Sequence, residues 1–135
     1  MSIATVRTNL KLALEGVKGL HPDTVYKEPP SSMSAFPAAI IDFAKDAANY
    51  VEPGTGVEWH FKILLLLAEF DPDTAYESLD DYLERSGDYS IKQKVDAYAV
   101  ADYAWVKTAD NVGLISYRGS NFIGAEFTVE VFDTL

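Results

Sequence analysis

No cysteine occurs among the 135 residues. Its absence removes disulfides, thiolate metal sites and a cysteine nucleophile together. Histidine is nearly as scarce: His21 and His60 lie alone on separate segments, so the sequence predicts no metal site. Long apolar runs are missing too. The longest, residues 63–68, falls far short of the roughly 20 residues that span a bilayer, so no membrane segment is expected. The amino terminus lacks a basic region leading an apolar stretch and a small-residue cleavage site, and secretion through a signal peptide is not expected. Positive charge is the last shortage. Eleven Lys and Arg against 21 Asp and Glu leave a formal charge of −10. That balance argues against a nucleic-acid binder that grips phosphate through a basic face, and acidity of this size keeps a protein soluble.

What remains is ordinary globular material. At 48% hydrophobic and 24% charged the chain folds rather than staying disordered, and its length suits one domain, residues 1–135. Such a domain buries roughly two-thirds of its unfolded surface. The organising stretch is 57–69, VEWHFKILLLLAE. Val57, Trp59, Phe61 and Ile63 alternate with Glu58, His60 and Lys62, the period of a half-buried strand. From Ile63 to Leu67 the alternation gives way to continuous apolar residues, so the second face of the strand is covered from about residue 63 onward. The amphipathic helix that follows is the expected cover, and the result is a small α+β domain.

Along the rest of the chain, Ser2 caps a helix over 3–18 with Ile3, Val6, Leu10, Ala13, Leu14 and Val17 on one face, and Gly19 stops it. Leu12 lies off that stripe. Residues 20–35 read as a loop, with 25–27 extended; Pro29 and Pro30 exclude a central strand there. Residues 38–43 fit a largely buried strand opened by Pro37. Residues 44–55 read either as a helical turn around Ala47, Ala48 and Val51 or as a long connection, with a firm turn at Pro53-Gly54. Asp71 caps the next helix, with Pro72 at its first position and Asp73 in its first turn. Ala75, Tyr76, Leu79, Tyr82 and Leu83 form its apolar stripe, and Gly87 ends it. Ser90 caps a shorter helix over 91–98 with Ile91, Val95 and Tyr98 on one face. Strands then run over 103–108, 112–118 and 122–132, joined by turns at Asp110-Asn111 and at residues 119–121. In the last strand Ile123, Ala125, Phe127, Val129 and Val131 point inward, and Gly124, Glu126, Thr128 and Glu130 outward.

Chemistry is hard to find in this pattern. Asp71 and Asp73 are explained by capping, and Asp80 and Asp81 by a solvated helix face. Glu58 and His60, at i and i+2 on one strand face, have the composition of an acid–base pair, but no serine or cysteine in a nucleophile motif accompanies them. EPGTG at 52–56 lacks the GK[ST] ending of a phosphate loop and precedes a strand, so it is a turn. Tyrosines at 50, 76, 82, 89, 98, 103 and 117 fit either core packing or an interface, where their large amphipathic area is favoured. No catalytic residue and no cofactor is expected.

In order, the opening helix ending at Gly19-Leu20, the proline-led FPAAII, the long WHFKILLLL, the DPDTAYESLDDYL helix, Ser90-Ile91 and the closing YRGSNFIGAEFTVEV resemble the tail terminator and tail-completion (neck) proteins of long-tailed bacteriophages. The resemblance spans almost the whole chain. It implies an α+β subunit with a mixed, mostly antiparallel sheet flanked by helices, and no reaction. It also implies a homo-oligomeric ring, typically hexameric, at the head-proximal end of the virion tail. Assembled in the host cytoplasm, such a ring ends polymerisation of the major tail tube protein and meets the head–tail connector, while DNA passes its lumen without specific binding.

Two groups of residues follow from combining the two lines of reasoning. Glu58, His60 and Lys62 are the expected subunit or tube contact. Asp73, Glu77, Asp80, Asp81 and Glu84 form an acidic face suited to a lumen that DNA slides past. Two other readings fit the same residues: another neck or tail-completion protein of this plan, and, in a different class, a small α+β hydrolase or ligand-binding protein using Glu58 and His60.

Overall fold

The computed structural model describes residues 2–33, 35–50, 56–69, 72–101 and 103–134. Among them, three helices and five strands build an α+β fold around one mixed, mostly antiparallel sheet. Helix α1 spans Ile3–Glu15, strands β1 Val25–Tyr26, β2 Ala38–Tyr50 and β3 Gly56–Glu69 follow, then α2 Pro72–Leu83, α3 Ile91–Ala97, β4 Tyr103–Tyr117 and β5 Ser120–Thr134. The sheet order is β1-β2-β3-β5-β4, parallel only between β1 and β2. β3 is the central strand, as its hydrophobicity demands, flanked over nearly its full length by β2 and β5. No helix among the described residues is long and apolar enough to cross a membrane.

Local chemistry explains the helices. The Ser2 hydroxyl accepts from the Thr5 amide, satisfying one of the free N–H groups of α1. Ser90 does the same for Gln93 at the start of α3. The Asp71 cap and the Pro53-Gly54 turn lie outside the described residues. Helix α1 ends at Glu15, a turn earlier than the apolar periodicity carries it, because Gly16 and Gly19 break it; Val17 is still buried. Gly19 turns the chain at a φ of 94°, where the Tyr82 hydroxyl leaves no room for a side chain. Helix α2 likewise stops at Leu83 rather than near Gly87.

All three helices lie on one face of the sheet. Val6, Leu10, Ala13 and Leu14 of α1, Ala75, Leu79 and Tyr82 of α2, and Ile91 and Val95 of α3 bury against Phe61, Ile63, Leu65 and Leu67 of β3 and against the whole inward row of β5. Tyr76 of α2 remains largely exposed, as do Leu12 of α1 and Tyr98, which lies just beyond α3. Helix α3 also closes part of the sheet edge: the Val106 amide donates to Asp96 Oδ1 at 2.8 Å, and Lys92 Nζ donates to the Val106 carbonyl at 3.1 Å. These two side chains satisfy backbone groups that an edge strand leaves open.

Three expectations are corrected. The second face of β3 is covered from Leu64 onward, but not by α2, which packs on the other face. Ile40, Leu64, Leu66, Ile115 and Phe122 form a smaller core there, against Tyr26, Met33, Phe36 and Tyr117. The proline-rich segment before β2 is held down by the Tyr117 hydroxyl donating to the Pro30 carbonyl at 2.6 Å, and Phe36 meets Phe122 at 5.5 Å between ring centres. Residues 44–50 continue β2 and are neither a helical turn nor a connection; pairing breaks between Phe43 and Ala48, so the intervening residues bulge out. Asp110-Asn111 is likewise no hairpin turn. β4 is continuous, and its register slips between Asp110 and Gly113, where Asn111 and Gly113 take φ values of 49° and 122°. The residues that favour a hairpin turn also fit a bulge, because both need positive φ. The true hairpin between β4 and β5 turns at Arg118 and Gly119.

A candidate interaction face on the outer sheet

The face of the sheet away from the helices is divided in two. Its lower half, around Leu64 and Leu66, carries the small core under the proline-rich segment. Its upper half, at the start of β3, has no element over it among the described residues. Alternation places Glu58, His60 and Lys62 on this half, as expected, and register brings residues from three other strands beside them. His60 pairs with Glu130 and Glu58 with Phe132 on β5, Glu130 and Phe132 pair with Trp105 and Tyr103 on β4, and Lys62 lies between Asp42 of β2 and Thr128 of β5.

Polar contacts lock the centre of this face. His60 Nε2 lies 2.6 Å from Glu58 Oε1, and its Nδ1 lies 3.1 Å from Asp46 Oδ2. Asp46 reaches the ring from the bulged part of β2. Carboxylates only accept hydrogen bonds, so an imidazole facing one at each nitrogen donates from both and carries a positive charge. Partial burial pulls the His60 pKa down, but the hydrogen bonds and charges of Glu58 and Asp46 outweigh that and raise it above the ordinary histidine value. The ring is only 12% exposed and Glu58 is 31% exposed, whereas Asp46 reaches the ring with a side chain 77% exposed, so the imidazole is the enclosed member of the group.

Glu130 is held just as firmly. Its Oε2 accepts from Trp105 Nε1 at 3.1 Å and its Oε1 from Lys107 Nζ at 3.0 Å. The Lys107 ammonium, first of all, holds the Glu130 carboxyl below its usual range, against a smaller opposite effect of burial. Lys107 is the extra residue of a bulge between Val106 and Thr108 of β4. Beside this ionic centre lie two large exposed side chains of β4, Tyr103 at 56% and Trp105 at 38% exposure. Tyr103 and Trp105 pack with ring centres 6.3 Å apart.

The sequence therefore locates the row Glu58, His60, Lys62 but not its partners. Asp46, Trp105, Lys107 and Glu130 come from two bulges and a strand register, none of which periodicity encodes; the outward alternation of Glu130 on β5 was the one available sign. The acidic group falls elsewhere. Glu77, Asp80 and Asp81 are exposed on α2 and Glu84 just beyond its end, in the helical layer, so they and the Glu58 row occupy opposite sides of the sheet. Asp73 is in the same helix, with its side chain outside the described residues.

The site belongs to an α+β domain built on a single five-stranded sheet. No family model matches the chain, and no curated protein matches it.

Proposed function

We propose that this chain is a structural subunit that forms a ring on the end of a phage tail tube, ends tube polymerisation and offers the head connector a joining surface. The observation that carries the reading is the uncovered upper half of the outer sheet face. Tyr103 and Trp105 expose large amphipathic area beside an ionic centre in which the His60 ring is largely enclosed and Glu130 is bonded at both oxygens. Protein interfaces favour this make-up, because aromatic rings bring contact area at low entropic cost and prearranged polar groups lose little freedom on association. The α+β class, with its mostly antiparallel sheet, is compatible with the reading.

In this reading the outer face, with Glu58, His60 and Lys62, meets a neighbouring subunit or the major tail tube protein. The exposed carboxylates Glu77, Asp80, Asp81 and Glu84, with Asp73, line the lumen from the opposite layer. Genome passing such a wall meets like charge and slides without adhering. The subunit acts in the virion, at the head-proximal end of the tail, and performs no reaction.

Sedimentation velocity across a concentration series tests the assembly half of the proposal. A closed oligomer, typically a hexamer, is expected to form at high concentration or on contact with tube protein. Replacing Tyr103 and Trp105 together by Ala shifts the dissociation constant upward by at least tenfold, since each aromatic at an interface centre contributes about 1–2 kcal/mol or more. A strict monomer under every condition, with and without tube protein, overturns it.

A further inference from the structure

We propose that Glu58, His60 and Glu130 bind one divalent transition-metal ion, with Asp46 as the residue that orients the imidazole. One ligand atom from each of the three lies within 4.8 Å of the others. The donor set is mixed rather than merely acidic. One imidazole nitrogen with two carboxylate oxygens suits Zn2+, Co2+ or Mn2+ better than Ca2+ or Mg2+, which prefer all-oxygen shells.

The backbone imposes the grouping. His60 and Glu130 are direct cross-strand partners, and Glu58 lies two residues before His60 on the same face. All three therefore stand on adjacent strands in the middle of the sheet, where rigid elements hold ligands better than loops do. Each far side is also supported. His60 Nδ1 is engaged by Asp46, so Nε2 is the coordinating nitrogen once it gives up its proton to solvent and its hydrogen bond to Glu58, and Trp105 Nε1 holds Glu130 through Oε2. A carboxylate behind a ligating histidine is the arrangement that fixes its ring and raises its basicity.

Charge and space fit as well. Glu58 and Glu130 together match a dication, and the Glu130 carboxylate, which accepts from Lys107 Nζ at Oε1, has lone pairs for both the ammonium and a metal. Metal–ligand bonds of about 2.0–2.2 Å put neighbouring donors roughly 3–3.5 Å apart, so a rotation of the Glu58 carboxylate away from Nε2 opens the position. The remaining coordination sites face the uncovered half of the sheet and are filled by water.

The test uses the full, untagged chain, stripped of metal, with Zn2+ followed by calorimetry and Co2+ by its visible ligand-field absorption. One equivalent is expected to bind, with Zn2+ displacing the Co2+ signal. His60→Ala and Glu130→Gln, each checked for native circular dichroism, weaken binding by at least about 100-fold. Asp46→Asn weakens it by about tenfold, the effect of losing an orienting partner. His21→Ala leaves it unchanged. No one-equivalent binding at millimolar metal, binding that survives either His60→Ala or Glu130→Gln, or loss of binding in His21→Ala overturns the site; an unaltered Asp46→Asn overturns the orienting role. These measurements on the isolated chain are independent of whether it forms a ring.

Discussion

His60 on β3 and Glu130 on β5 are direct partners across the sheet, and each is held from behind by a residue of the neighbouring strand, Asp46 for the histidine and Trp105 for the carboxylate. Four strands thus contribute to one polar centre on a face that the helices leave bare. A network of this kind is high-stakes, because each member depends on the others for its satisfaction.

Its pH dependence has a definite sign. The His60 pKa is raised in the folded chain, so the charged imidazole favours folding fully below the ordinary histidine value near 6.5, and that contribution fades as pH rises through the higher folded value. Metal-free protein is therefore expected to lose thermal stability as pH climbs past the ordinary histidine value near 6.5, and His60→Ala to flatten that part of the profile. Melting curves by circular dichroism in the presence of a chelator read this directly. A wild-type profile as flat as the variant's contradicts the doubly bonded imidazolium.

Gly124 gives a sharper structural prediction. It faces a bulge at Leu67 of β3, and a methyl group placed on it lies only 1.8 Å from the Leu65 carbonyl oxygen. The obstacle is backbone of the central strand, which cannot swing aside as a side chain does. Gly124→Ala is expected to cost about 3 kcal/mol, at the upper end of overpacking effects, and urea denaturation will show it as a lower midpoint. An unchanged midpoint places the β3 bulge wrongly.

Phe36 tests the cover of the lower outer face. It packs on Phe122 over the small core of Ile40, Leu64, Leu66 and Ile115. Phe36→Ala is expected to cost about 2 kcal/mol, less than a fully buried phenylalanine because the ring keeps some exposure. The proline-rich segment should then become the first site of limited proteolysis. If the variant cleaves no faster there than wild type, the segment does not depend on that contact.

How far the sequence carries the structure depends on the scale of the interaction. Ser2 and Ser90 announce their helices because a cap is local, and the inward row of β5 is legible because its alternation is unbroken. Gly124 is the exception in that strand: alternation turns it outward, yet it is buried because another backbone lies against it. The extension of β2 through residues 44–50 is hidden by alanines, which carry little strand signal, and by a bulge that interrupts the pattern. The cover over Leu64 and Leu66 comes from isolated residues, Met33 and Phe36, in a segment that has no period to read. At the candidate site Glu58 and His60 reveal themselves by spacing, whereas Asp46 and Glu130 join them only through register. Register is a tertiary property, and one residue of slip would send every one of these side chains to the other face.

The proposed role of this chain is to stop a growing tail tube and ready it for the head. Electron microscopy of particles assembled without it measures that most directly. Overlong tails unattached to heads are the predicted result; tails of normal length joined to heads would contradict it.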